Sequence, residues 1–152
     1  MGIEECVLVE LQTLTDKRGD LTIVEGGRHI PFEIRRVYFL HGVPPGVSRG
    51  GHAHKRLRQL FVAASGSFDV LLDDGGERKT IRLDRVDRGL IITPMIWREL
   101  RNFAPESVCM VLASEHYDES DYFREYADRY HKVVVYDPAL PATISGPESR
   151  KN

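Results

Sequence analysis

Hydrophobic residues in this chain alternate with polar ones along short runs, and turn-forming residues separate the runs. Runs of this length that are rich in β-branched and aromatic residues predict β-strands. Pro and Gly at 43–46 end one such run, and the Asp-Asp-Gly-Gly sequence at 73–76 predicts a hairpin. The predicted strands cover 7–14, 21–24, 36–40, 59–64, 67–72, 79–83, 89–93, 98–103 and 108–113. Short strands at this spacing predict an all-β sandwich or barrel.

The C-terminal part of the chain follows a different pattern. The acidic sequence at 118–121 resembles a helix N-cap with an acidic first turn. Aromatic residues follow at near-helical spacing, at Tyr122, Phe123, Tyr126 and Tyr130. These features predict one short C-terminal helix, with a further strand at 133–136. Beyond Asp137 the composition shifts to Pro, Ser, Gly and Lys, so we expect one domain over 1–137 and a loose tail over 138–152.

Composition and charge narrow the classes of partner. The chain has 152 residues, 41% of them hydrophobic, and a formal net charge of −2. That charge gives no electrostatic case for nucleic acid or a membrane as the main partner. The N-terminus lacks the basic start and apolar run of a secretory signal, so we expect a cytoplasmic protein. Cys6 and Cys109 fit no zinc spacing, and we expect two buried thiols.

The residues best suited to chemistry are His52 and His54. On a β-strand their side chains would point to the same face, because side chains alternate with period two. Two imidazoles on one inner face can bind a metal ion or move protons on one substrate, and Gly50 and Gly51 would let a ligand come close. The alternative is a pair of solvated histidines on an edge strand.

The spacing around this histidine pair resembles the first cupin motif. Gly46, His52, His54, Gln59 and Gly66 occupy its positions, with Gln59 in place of the usual Glu. A weaker match to the second motif places Arg98 at the position of its histidine and Asn102 at its asparagine. The resemblance implies an all-β cupin, an RmlC-like jelly-roll sandwich or barrel.

The substitutions in these motifs bear on metal binding. Metal-binding cupins use two His, one Glu and a third His, whereas this chain has His52, His54, Gln59 and Arg98 at those positions. A neutral amide is a poor ligand, and a guanidinium has no lone pair to donate. We therefore predict neither a metal ion nor another cofactor, which disfavours a metal-dependent dioxygenase. Arg98 would instead suit an anionic or enolate-like ligand.

Over about residues 6–130 the sequence more closely resembles one branch of small cupins. That branch is the WxcM-like family of dTDP-4-keto-6-deoxyglucose 3,4-ketoisomerases. The matching segments are 16–19, 35–38, 49–55, 71–75, 97–100 and 111–122. The resemblance implies a homodimer that moves the carbonyl of a dTDP-linked 4-keto-6-deoxyhexose from C4 to C3 in deoxy-amino-sugar biosynthesis. Proton transfer through an enediol needs a base that titrates near neutrality and a group that holds negative charge.

The site residues can be assigned provisional roles on this basis. We expect His52 to be the base and His54 a relay or second acid–base group. The resemblance makes Tyr38 an active-site residue that orients the sugar or carries a proton, although Tyr38 also fits a core aromatic residue whose hydroxyl is hydrogen-bonded. The substrate-binding candidates are Arg18, Arg49, Arg98, Gln59 and Trp97, although Arg49 also fits a solvated turn and Trp97 also fits core packing. Arg at both 18 and 98 mixes the patterns of the gluco and galacto branches, so the C4 configuration stays open.

Two alternatives remain from other classes of function. An RmlC-like nucleotide-sugar epimerase also uses a histidine base, but it would require a His–Asp pair that the sequence does not reveal. A non-catalytic sugar-binding cupin would need no intact histidine pair. The three functions predict different outcomes with the sugar nucleotide. A ketoisomerase moves the carbonyl, an epimerase inverts C3 and C5, and a non-catalytic protein only binds the sugar.

Overall fold

The computed structural model describes residues 2–126 of the chain. Within that part a 3-10 turn, Ile3–Glu5, precedes the first strand, and a second one, Glu119–Asp121, precedes the last. The strands are Val7–Glu10 (β1), Gln12–Asp16 (β2), Gly19–Ile23 (β3), Arg36–His41 (β4), Arg49–His54 (β5), Gln59–Ser65 (β6), Phe68–Asp73 (β7), Arg78–Leu83 (β8), Arg88–Ile92 (β9), Trp97–Arg101 (β10), Val108–Ala113 (β11) and Tyr122–Phe123 (β12).

These strands form two five-stranded antiparallel sheets and a separate hairpin. The first sheet has the order β1-β9-β6-β11-β4, and the second has the order β12-β5-β10-β7-β8. The hairpin consists of β2 and β3. The predicted all-β cupin sandwich is confirmed. No helix in the described residues is long and apolar enough to span a bilayer.

The main hydrophobic core lies between the two sheets. It contains 16 buried residues, and Phe68, Leu72, Leu90, Ile92 and Val111 are among those with no more than 1% exposure. A second apolar cluster includes Phe32, Leu60 and Leu112 and lies on the other face of the first sheet. Cys6 and Cys109 are both free and buried, as the sequence predicted.

Two sequence predictions differ from the observed elements. The predicted strand 7–14 divides at Leu11, because β1 pairs with β9 whereas β2 turns away to pair with β3. The predicted C-terminal helix is wrong at Tyr122 and Phe123, which form β12 against β5. Backbone pairing at the open edge of the second sheet outweighs the helical spacing of the aromatic residues. The segment 133–136 and the tail 138–152 lie outside the described residues.

Candidate active site

Strand β5 places both histidines inside the sandwich. His52 is 2% exposed and His54 is fully buried. Their ring centroids are 4.8 Å apart and the rings are nearly perpendicular. Because β5 lies between β10 and β12, neither ring faces bulk water across a sheet edge. Both imidazoles therefore sit next to each other in a desolvated interior.

Hydrogen bonds at Nδ1 fix the orientation and tautomer of both rings. His52 Nδ1 donates to the carbonyl oxygen of Gly50, and His54 Nδ1 donates to Asp121 Oδ2 over 3.2 Å. Since both acceptors lack a proton to give, each neutral ring carries its hydrogen on Nδ1. The Nε2 atoms are buried and have no hydrogen-bond partner among residues 2–126. Each Nε2 lone pair is thus available to a ligand.

The surroundings keep both histidines uncharged. Burial lowers the pKa of His52 well below its usual value; repulsion from a proton on His54 and the positive charge of Arg98 lower it further. Burial likewise lowers the pKa of His54, followed by the positive charges of Arg98 and Arg36. At neutral pH both imidazoles are proton acceptors.

A chain of hydrogen bonds crosses the interior beside the histidines. Arg98 is fully buried and lies opposite His52 in the β5–β10 register. Its Nη1 donates to Gln59 Oε1, and Gln59 Nε2 donates to the hydroxyl of Tyr38 over 2.9 Å. Arg98 Nε donates to the carbonyl oxygen of Ile96 over 3.1 Å. Arg98 and Gln59, at the two substituted cupin positions, therefore bind each other and hold Tyr38 at the same site.

This set of side chains does not fit a metal ion. His52 and His54 could each offer an Nε2 lone pair, but the remaining two cupin positions hold an amide engaged with Tyr38 and a permanent cation. A guanidinium this close would repel a divalent ion. Among residues 2–126, no group of three or more His, Cys, Asp or Glu side chains lies close enough to hold one.

The structure adds residues that the sequence analysis did not assign to the site. The Tyr122 ring tilts against His54 and His52, at centroid distances of 4.2 and 5.0 Å, and burial raises the pKa of its phenol. Arg124 lies over the Tyr122 ring at 3.9 Å. The sequence at 118–122 carried the family resemblance, so its place in the site could have been inferred had its spacing not suggested a helix.

A His–Asp pair is also present, contrary to the sequence analysis. His54 and Asp121 are 67 residues apart in sequence, and both side chains are almost completely buried. The pair forms because β12 adds to the edge of β5, which brings the residue before Tyr122 next to His54.

Two predicted site residues lie elsewhere in this chain. Arg18 is at the tip of the β2–β3 hairpin, where its side chain is 85% exposed and pairs with Asp16 at 2.6 Å. Trp97 is fully buried on the face of β10 opposite Arg98, where it packs against Ala53 and contacts Tyr126 edge-on at 5.5 Å. Trp97 therefore packs the outer face of the second sheet and does not stack on a ligand between the sheets.

Arg49 lies at the start of β5 and lines an open cleft of about 410 Å³. The cleft runs along the edge strand β4, and Arg36, Tyr38, His41 and Tyr117 also line it. Arg36 lies over the rings of Tyr38 and Tyr117, at 5.2 and 5.6 Å. Tyr38 therefore belongs both to the lining of the cleft and to the buried hydrogen-bonded chain that ends at Arg98.

Comparisons with known proteins agree with this geometry. A family model described as "FdtA: WxcM-like, C-terminal" matches residues 4–134. The TDP-4-oxo-6-deoxy-alpha-D-glucose-3,4-oxoisomerase of Aneurinibacillus thermoaerophilus is 41% identical over 128 residues, which cover 84% of this chain and 91% of that protein.

Solved structures give the same result. A mutant of the 3,4-ketoisomerase QdtA from Thermoanaerobacterium thermosaccharolyticum, in complex with TDP-4-keto-6-deoxyglucose, is 38% identical with a TM-score of 0.83, over 86% of this chain and 94% of that one. The TDP-quinovose 3,4-ketoisomerase WlaRB from Campylobacter jejuni is 40% identical with a TM-score of 0.82, over 86% of this chain and all of that one. With this identity and coverage, the chain belongs to the FdtA, WxcM-like family of sugar 3,4-ketoisomerases.

Proposed function

We propose that this protein is an isomerase that moves the carbonyl of TDP-4-keto-6-deoxyglucose from C4 to C3. The observation that carries the proposal is the pair of neutral imidazoles beside the buried Arg98 guanidinium, whose Nε2 atoms have no hydrogen-bond partner within residues 2–126. A 41% identical relative is named as an oxoisomerase for this sugar, which supports the substrate.

The chemistry follows from what the side chains can donate and accept. In the proposal, His52 Nε2 takes the proton from C3, and the C–H electron pair forms a C3=C4 double bond as the C4 carbonyl becomes an enediolate oxygen. Arg98 offsets the negative charge on that oxygen. The protonated histidine then returns a proton at C4, the O3 hydroxyl passes its proton to the O4 oxyanion, and the C3 carbonyl forms. His54 and Tyr38 serve as the second acid–base group and as the group that orients O3 and O4.

The cleft along β4 suits the nucleotide diphosphate. Arg36 and Arg49 line it, and two guanidinium groups match the charge and geometry of a diphosphate. We place the diphosphate there and the hexose at the inner end, next to Tyr38. This assigns Arg49 a binding role instead of that of a solvated turn residue.

We further propose that the active form is a homodimer. Large apolar side chains are exposed on the hairpin and on edge strand β4: Leu14, Leu21, Val37 and Phe39 are 47–56% exposed. Edge strands and apolar patches of this kind are usually covered by a partner. A dimer would also explain how Arg18, remote from its own histidines, could reach substrate bound to the other subunit. Light scattering should give twice the 17.3 kDa chain mass, and Leu14→Glu with Leu21→Glu should give the monomer.

The decisive experiment is NMR of the protein with TDP-4-keto-6-deoxyglucose in deuterated water. The wild type should form a 3-keto product that carries deuterium at C4. His52→Asn should lower turnover by at least about 10³-fold, whereas His116→Asn, a matched change at an exposed histidine, should leave it unchanged. Full activity of His52→Asn would remove His52 as the base, and substrate binding without conversion by the wild type would indicate a non-catalytic sugar-binding protein.

A second candidate, an RmlC-like epimerase, is favoured by one observation. The His54–Asp121 pair is the feature that the sequence analysis required of that class. The 4-keto-6-deoxy sugar epimerase NovW from Streptomyces spheroides shares the fold, with a TM-score of 0.67 at 19% identity, and this chain spans only 69% of its length. Inversion at C3 or C5 without carbonyl migration in the same NMR experiment would identify an epimerase. The cytoplasmic location remains a prediction.

A further inference from the structure

The carboxylate of Asp121 is held on several sides in a buried position. Its side chain is only 4% exposed. Oδ1 accepts the backbone N–H of Arg56 over 2.8 Å, and Oδ2 accepts that of Leu57 over 3.3 Å. The backbone carbonyl of Asp121 also accepts the N–H of Lys55 over 2.9 Å. The turn that follows β5 therefore fixes this carboxylate relative to the strand that carries His54.

His54 and His52 differ in what lies behind the ring. His54 Nδ1 faces the Asp121 carboxylate, whereas His52 Nδ1 faces the neutral carbonyl of Gly50. An anionic acceptor stabilises an imidazolium more strongly than a carbonyl does, because the hydrogen bond gains charge attraction when the ring takes up a proton. The two rings are thus unequal in their ability to hold a proton during a reaction.

We infer that Asp121 is a positioning residue for the isomerase reaction. It keeps His54 in the tautomer with hydrogen on Nδ1 and stabilises His54 while Nε2 carries a proton between the sugar carbons or oxygens. This inference rests on the proposed function. It gives His54 an anionic partner that His52 lacks, which fits His54 as the second acid–base group beside the base His52.

Asp118 provides a matched control in the same turn. It accepts the N–H of Ser120 over 3.0 Å and pairs with Arg56 Nη2 at 3.1 Å, and its side chain is 47% exposed. Asp118→Asn therefore removes one carboxylate charge from the same segment but changes no hydrogen bond to His54. Asp121→Asn removes the negative charge behind His54 Nδ1 and leaves one amide oxygen for the three donors that the carboxylate accepts, from Arg56, Leu57 and His54.

The test combines steady-state kinetics with ¹⁵N NMR of the imidazoles. In the wild type, His54 should show its proton on Nδ1. Asp121→Asn should reduce the fraction of His54 that carries its proton on Nδ1, and it should lower kcat about 10²-fold with KM changed less than about threefold, because the charge that stabilises a protonated His54 is gone. Asp118→Asn should match the wild type in both measurements.

Several outcomes would overturn the inference. An unprotonated Nδ1 of His54 in the wild type would do so without any variant, which covers the case in which Asp121→Asn fails to fold. Wild-type kcat in folded Asp121→Asn would do so as well. Absence of isomerase activity in the wild type would instead overturn the proposed function, while the tautomer would still show whether Asp121 orients His54.

Discussion

The interior of the sandwich has a polar end and an apolar end, and the same strands build both. Along β6 the inward side chains change from Gln59 to Phe61, and along β10 they change from Arg98 to Leu100. The cross-strand register keeps each end in its own layer: Gln59 lies opposite Ala113, and Phe61 lies opposite Val111. A shift of two residues along a strand, which keeps the same face, is enough to pass from one end to the other.

The two ends contribute differently to the molecule. The apolar end gains free energy from removing hydrocarbon from water. The polar end loses hydration of a guanidinium, an amide and two imidazoles, and it recovers only part of that loss through internal hydrogen bonds. The two buried Nε2 atoms accept no hydrogen bond from the part of the chain that the structure describes, which is the expected property of groups kept for a ligand. The comparison predicts that stability and activity respond separately to changes at the two ends.

The largest expected effect is at the apolar end. Phe68 is fully buried and stacks on Phe103 with a centroid distance of 5.2 Å. Phe68→Ala should lower the free energy of unfolding by about 3–5 kcal/mol, because it removes buried hydrocarbon and leaves a cavity. Urea denaturation measures this loss, and kcat per folded molecule should stay within about twofold of the wild type. A large fall in kcat in the folded variant would mean that the ends are not independent.

A smaller change in stability is expected at the polar end, together with a loss of activity. Tyr38→Phe removes the oxygen that accepts from Gln59 Nε2 and keeps the ring. The unpaired amide N–H should cost about 1 kcal/mol of stability. Loss of the hydroxyl from the site should lower kcat by about 10²-fold. If Tyr38→Phe lowered the free energy of unfolding as much as Phe68→Ala does and kept full turnover, the polar end would contribute to stability and not to catalysis.

The sequence predicts those residues of the polar end that can be placed from spacing along single strands and within motifs. Period-two alternation placed His52 and His54 on one face, and motif spacing brought Gln59 and Arg98 to the same site. The same alternation could also have shown that Trp97 faces away once Arg98 faces inward. Those assignments need no knowledge of which strands pair.

Asp121 and Tyr122 could not be assigned in this way. Their contact with His54 spans more than 60 residues and depends on β12 joining the edge of β5. Aromatic spacing in that segment fits a helix equally well, and only the pairing of backbone groups at the sheet edge decides between the two. The position of Arg18 presents a related problem, because the contact that we propose for it across a dimer would leave no periodic signal in one chain.

The smallest expected effect is the contribution of the two buried histidines to the pH dependence of stability. Burial lowers the pKa of His52 and of His54 below the ordinary 6.5, so the unfolded chain binds protons that the folded chain does not. The contribution of these two histidines to stability should therefore fall as the pH drops through 6.5, by about 1 kcal/mol per histidine at pH 5.5. Urea denaturation at pH 7.5 and at pH 5.5 measures the change. On going to pH 5.5, the free energy of unfolding of His52→Asn should change by about 1 kcal/mol less than that of the wild type. The change for Phe68→Ala should equal that of the wild type. Equal losses in all three proteins would show that these two imidazoles titrate as they do in the unfolded chain, and the polar end would then not be the desolvated site on which the proposed proton transfer depends.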